Sequence, residues 1–154
     1  MRRALASFAW ALALCALATP APLRAEARFF TIAAVEPKGG ATADKEPFPH
    51  HALPEGGGYV LKKPDQTGRW EVSTYVWQPS QIIVAEGDDV TLEFVGINGA
   101  EHPTTIAGYD KAMVLKRGTV VRLEFKADKA GTFKIMCATH RPSMVGELIV
   151  LPKR

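Results

Sequence analysis

The residues with the most chemical potential lie near the C-terminal end, in the run Cys137-Ala-Thr-His140-Arg-Pro-Ser-Met144. A thiol, an imidazole and a thioether are packed there at a C-x2-H-x3-M spacing. Donors this soft suit a soft, redox-active ion: Cys and Met favour copper, and imidazole accepts either of its oxidation states. The set is one imidazole short, and His102, well upstream, can supply it. Two His, one Cys and a distant axial Met form the arrangement of blue-copper electron-transfer sites. Each residue alone has a plainer explanation. A loop histidine is usually solvated, a single cysteine usually behaves as a small buried hydrophobe, and a methionine usually packs. The joint spacing makes metal binding the stronger reading.

The other cysteine, Cys15, falls in a different context. Met1-Arg2-Arg3 is a short basic start and Ala4 to Ala18 is almost wholly apolar, so residues 1–25 read as a secretory signal peptide. Cleavage is expected after Ala25 or after Ala27, where small residues precede the cut. Leu14 is too bulky for a lipid-attachment pattern at Cys15, and the residues after Arg2-Arg3 do not continue a twin-arginine signal. The general secretory route and a periplasmic location are expected. The apolar run is shorter than the ~20 residues that span a bilayer, so no membrane span is expected after cleavage. The mature chain then keeps Cys137 alone, in a compartment where cysteines usually pair. Such a thiol is inert and buried, part of an intermolecular disulfide, or a metal ligand.

Charge narrows the partners. The 154 residues carry 19 Lys and Arg against 16 Asp and Glu. Removing residues 1–25 takes away Arg2, Arg3 and Arg24 and no acid, so the mature chain is balanced. Nothing in that balance asks for nucleic acid or an anionic membrane.

The elements that must position the ligands read as strands. Glu71 to Trp77, Gln81 to Ala85, Val90 to Val95, Val120 to Phe125, Thr132 to Cys137 and Val145 to Leu151 are rich in Val, Ile, Phe and Thr, and several alternate apolar with polar. Breakers separate them: Pro79-Ser80, Glu86-Gly87-Asp88, Asn98-Gly99, Arg117-Gly118 and Ala130-Gly131. No stretch sustains a helical period. The expected fold is an all-β Greek-key sandwich. Its core is expected over residues 70–154, after an N-terminal extension, 26–69, that forms a single domain with it. In that extension Arg28 to Val35 and Tyr59 to Lys62 read as strands. A Pro- and Gly-rich stretch between them reads as a long loop. Loops at one end of a sandwich cluster in space, so His102, expected on the loop after Val90 to Val95, can meet the three C-terminal donors.

With those residues in view, the segment from Tyr75 to Lys153 resembles a cupredoxin. Glu101-His102-Pro-Thr-Thr-Ile106-Ala-Gly108 is similar to the first-histidine loop of the copper domain of cytochrome oxidase subunit II. Lys126-Ala-Asp128-Lys129-Ala-Gly131-Thr-Phe133-Lys-Ile-Met-Cys137 resembles the strand leading into the ligand cysteine in that domain and in nitrosocyanin. Two departures shape what the resemblance implies. The dinuclear centre of the oxidase domain needs a second cysteine where this chain has Arg141, so a mononuclear site is implied. Nitrosocyanin carries Glu where this chain has His102, and a second His in place of Met144, which argues against a red, catalytic-type site; Glu101, beside His102, keeps that alternative open.

The implied function is one-electron transfer through copper held by His102, Cys137, His140 and Met144, without enzymatic activity. The partner would be a periplasmic cytochrome, a terminal oxidase or a reductase. A copper carrier or chaperone is the main rival, weakened because Met113, Met136 and Met144 are all the methionines of the mature chain. A copper enzyme is the third reading, and it would need an open coordination position. His50 and His51 are expected to be exposed, with a second metal site there the minority view. Glu86, Asp88 and Asp89 read as an acidic turn capping a hairpin. Met113, Val114 and Leu115 read as packing beside the copper loop. Self-association through the N-terminal arm is implied only by the likeness to nitrosocyanin.

Overall fold

The structure is a computed structural model and describes residues 25–153. The signal-peptide reading falls almost wholly outside these residues. The described residues form twelve strands: β1 Ala27–Val35, β2 Lys38–Thr42, β3 Tyr59–Lys62, β4 Arg69–Thr74, β5 Val76–Gln78, β6 Gln81–Ala85, β7 Asp89–Gly96, β8 Glu101–Ile106, β9 Lys111–Lys116, β10 Val120–Lys126, β11 Gly131–Cys137 and β12 Val145–Leu151. Two sheets form the sandwich, ordered β10-β7-β1-β5 and β6-β12-β11-β8-β9, and a third, β2-β4-β3, joins two strands of the extension to β4. Among the described residues no helix is long and apolar enough to cross a membrane.

The core follows from alternation along the strands. In β7 the inward positions Val90, Leu92 and Phe94 are buried while their neighbours are partly open, and β12 repeats the pattern with Gly146, Leu148 and Val150. Side chains on a strand point alternately to opposite faces, so each sheet presents one apolar face. Ile32, Leu92 and Phe94 of the first sheet meet Ile82, Ile106, Leu115, Ile135 and Leu148 of the second. Each such side chain contributes roughly 1.5–3 kcal/mol on leaving water. Trp77 of β5 meets Phe94 edge-on at 5.4 Å between ring centroids.

Three expectations change here. The segment Glu71 to Trp77 is two strands, because the chain breaks at Tyr75 and passes from the β2-β4-β3 sheet into the sandwich. The stretch expected as a long loop contains β2, whose glycines pair with β4 in the register Gly39↔Val72 and Gly40↔Glu71. The acidic turn at residues 86–88 caps no hairpin, since β6 and β7 lie in different sheets. It carries the chain across the sandwich, and Asp88, fully buried, is its anchor: it accepts bonds from the Ala85 and Glu26 amides at 2.9 Å and from Arg28 Nε at 3.2 Å.

β1 is not peripheral to the core. It lies between β7 and β5, parallel to β7 from Ala27↔Asp89 to Ala34↔Gly96 and antiparallel to β5. Its residues Ile32 and Ala34 are fully buried.

Candidate metal centre

Four segments meet at one end of the sandwich. β11 ends at Cys137 and β12 begins at Val145, so the ligand loop, 138–144, is the connection of an antiparallel hairpin. β8 lies on the other side of β11, with Cys137 opposite Thr104, which brings His102 alongside. His102 sits on a strand, not on the loop where it was expected. Strand alternation then assigns the faces: His102 is fully buried, while Glu101 points outward and is exposed. Glu101 is therefore outside the cluster.

Cys137 Sγ lies 3.4 Å from His140 Nδ1 and 3.9 Å from His102 Nδ1, and the two Nδ1 atoms are 3.1 Å apart. Among the described residues this is the group of His, Cys and acidic side chains whose donor atoms all fall within 4.8 Å of one another. His50 and His51 are exposed and lie outside it. Met144 is fully buried, its amide donating to the His140 carbonyl at 2.9 Å and its carbonyl accepting from the Cys137 amide at 3.1 Å. These two bonds close the ligand loop on itself.

The surroundings select the tautomer of His102. Its Nε2 lies 2.7 Å from the Asn98 carbonyl, which can only accept, so Nε2 carries the proton and Nδ1 presents its lone pair to the cluster. In metal sites a bond of this kind, made by the ring nitrogen that faces away from the ion, fixes the tautomer and orientation of the imidazole. Gly99 completes the cradle with φ +77: a Cβ there would come within 2.7 Å of the His102 ring. Arg117 Nε donates to the Gly99 carbonyl at 2.9 Å and pins the turn. His140 is half-buried, and its pKa is lowered, chiefly by burial and then because two neighbouring imidazoles, His140 and His102, repel when both are protonated, while Glu36 opposes the shift. Both effects favour the neutral imidazole that a metal requires.

A buried thiol and two convergent imidazole nitrogens, one held as an acceptor, fit copper by donor chemistry. Among the described residues Cys137 is the one thiol, so a thiolate-bridged pair of ions has no second bridge. Met113 and Leu115 pack on the core from β9, Leu115 opposite His102, as their packing reading expects, whereas Val114 between them points outward and is exposed.

Several contributing residues went unread in the sequence. Tyr75 stacks on His140 with ring centroids 4.0 Å apart, although its place inside an expected strand gave no hint of it. Asn98-Gly99 registered only as a breaker. The signal that could have flagged it is its position a few residues ahead of a candidate ligand. Gly56-Gly57-Gly58 registered only as loop, though three successive glycines mark a close backbone approach.

A search of curated proteins gives no match. The fold is similar to that of the multicopper oxidase mgLAC, with TM-score 0.53 and 19% identity over 84% of this chain and 40% of that one. It is similar too to the copper nitrite reductase from Nitrosomonas europaea, with TM-score 0.52 and 17% identity over 82% of this chain and 42% of that one. The chain thus spans about two fifths of each of these chains. The model of the cupredoxin-like domain matches residues 51–150, which take in the sandwich strands from β5 to β12 but not β1, and the whole of the His102, Cys137 and His140 cluster, and so the chain belongs to the cupredoxin-like family.

Proposed function

We propose that this chain is an exported one-electron carrier that holds a single copper ion through His102, Cys137, His140 and Met144. The observation that carries the reading is the burial of the donor set: His102, Cys137 and Met144 are fully buried and His140 half-buried, all of them on or between paired strands. Copper bound there would supply one-electron chemistry by alternating between its two common oxidation states. The chain's own part is to hold the donors still. Cys137 is fixed at the end of β11 opposite Thr104, two residues along β8 from His102, His102 is held in its Nδ1-accepting form by Asn98, and the 138–144 loop is closed by its backbone bonds. Donors fixed before the ion arrives leave little to rearrange when its charge changes.

Burial argues against a copper carrier, which needs donors that an acceptor can reach. The partner is a periplasmic cytochrome, a terminal oxidase or a reductase, met through a small and short-lived interface. The test is copper loading of the purified mature protein. One ion per chain, an intense thiolate-to-copper absorption abolished in Cys137→Ala, and rapid electron exchange with a small cytochrome in stopped flow are expected. Two ions per chain with a mixed-valence signal would overturn the mononuclear site. Slow exchange combined with ready hand-over to a chelator would favour the carrier.

A further inference from the structure

The Gly56-Gly57-Gly58 strap precedes β3 and crosses the ligand loop at backbone distance. The Gly57 amide donates to the Thr139 carbonyl and the Gly58 amide to the Arg141 carbonyl, each at 3.2 Å. These two carbonyls flank His140. The hydroxyl of Ser143 lies 2.9 Å from the Gly58 carbonyl and 2.8 Å from that of Tyr75, and donates its one proton between them. The Tyr75 amide donates to the same Gly58 carbonyl at 3.2 Å. The ring of Tyr75 then lies over His140, its plane 31° from parallel. The ligand loop is thus tied on its backbone, on a side chain and on the imidazole face.

Glycine is required for this approach. A Cβ on Gly57 would meet the Thr139 carbonyl oxygen at 2.8 Å, and one on Gly58 would meet that of His140 at 2.6 Å. A Cβ on Gly56 would overlap the Arg141 carbonyl. Such contacts are with backbone, which cannot swing aside.

We propose that the glycine strap, Ser143 and Tyr75 are positioning residues for His140: they hold the ligand loop in its metal-binding shape from outside the loop, so that the imidazole is placed before any ion binds. The proposal rests on the reading of His140 as a ligand. It gives the segment before β3 a part in the site, although it contributes no donor. Ser143→Ala removes the shared hydroxyl bond without adding bulk, and Gly57→Ala forces the strap off the loop. Tyr75→Leu removes the stacked ring, and Tyr75→Phe restores it.

The experiment is amide hydrogen exchange on the full mature chain, first without copper. The amides of Gly57, Gly58 and Met144, which donate to carbonyls of the ligand loop, are expected to exchange about tenfold faster in Ser143→Ala, the effect of losing one hydrogen bond from a locally opening segment. A larger effect is expected in Gly57→Ala, with the β7 and β12 amides unchanged in both. Copper-loaded Tyr75→Leu should show a shifted thiolate-to-copper band that Tyr75→Phe returns to the wild-type position. Unchanged exchange at the Gly57, Gly58 and Met144 amides in Ser143→Ala would overturn the proposal even if Gly57→Ala fails to fold, as would wild-type spectra for both Tyr75 variants. Failure of the wild-type protein to bind copper would sink the ligand reading alone, and the exchange data would still judge the strap.

Discussion

At the scale of the residue, the cluster separates donors by what their replacement should do. Met144 is fully buried and tied by its backbone to Cys137 and His140, so Met144→Leu keeps the loop's bonds and its volume while removing a thioether. As a weak axial donor favours the oxidised ion, the variant is expected to keep copper and to show a higher reduction potential, by about 60 mV for each tenfold change in relative affinity for the two ions. Protein-film voltammetry measures this, and an unmoved potential would make Met144 a packing residue. Gly99→Ala attacks the other side of the site. Its Cβ would meet the His102 ring, and its φ of +77 is one that alanine rarely adopts. The expected result is weakened copper binding with altered electron-spin resonance of the loaded protein, and a wild-type spectrum would show that His102 tolerates a displaced cradle. That His102, Cys137 and His140 come together was legible in the sequence, because a thiol and an imidazole three residues apart, with a further imidazole upstream, are rare by chance. Asn98 was not, because it acts through its carbonyl, which every residue has.

At the scale of the element, Asp88 shows how a turn fixes two sheets. Burial alone would raise its pKa, but hydrogen bonds from the Ala85 and Glu26 amides and from Arg28, with the charge of Arg28, outweigh burial and hold it below its ordinary value of 3.8. The unfolded chain therefore binds the proton more readily. The stability that Asp88 contributes is complete above its ordinary value and is lost as pH falls through 3.8 toward the folded value. Acid unfolding monitored by tryptophan fluorescence is expected to shift to higher pH in Asp88→Ala, which at neutral pH should be destabilised by about 2–4 kcal/mol because buried donors lose their acceptor. An unshifted acid transition would mean that the turn is held by its backbone alone. Strands rich in Val, Ile and Phe were legible for the physical reason that a half-buried sheet needs such residues on alternate positions. β8 was not, since Pro103 lacks an amide and demotes a run. β2 was not either, because Lys38-Gly39-Gly40 has no propensity of its own and becomes a strand only by pairing with β4. His102 was consequently expected on a loop, although the backbone of β11 and β9 makes its segment a strand.

At the scale of the whole molecule, the sheets close through segments far apart in the chain. Alternation can forecast that strands exist, but not which lie side by side, and the central place of β1 was invisible in its composition. It pairs with β7 across 62 residues, as between Thr31 and Glu93, and β6 pairs with β12 across 66, as between Gln81 and Glu147. Both pairings are parallel, so neither can start from a tight turn and zip outward. The order of events on the way to the native state follows from this. Hairpins such as β8-β9 and β11-β12 can form early, but the cost of closing two long loops falls before the contacts that repay it. Refolding from denaturant is expected to be slow, on the millisecond-to-second scale of sandwiches rather than the microsecond scale of helical bundles. Stopped-flow fluorescence of Trp77, which is buried against Phe94 between the sheets, would time it. Until β1 arrives, the edge of β7 that it covers stands open, and a nascent chain is most prone to clump with its neighbours during that interval.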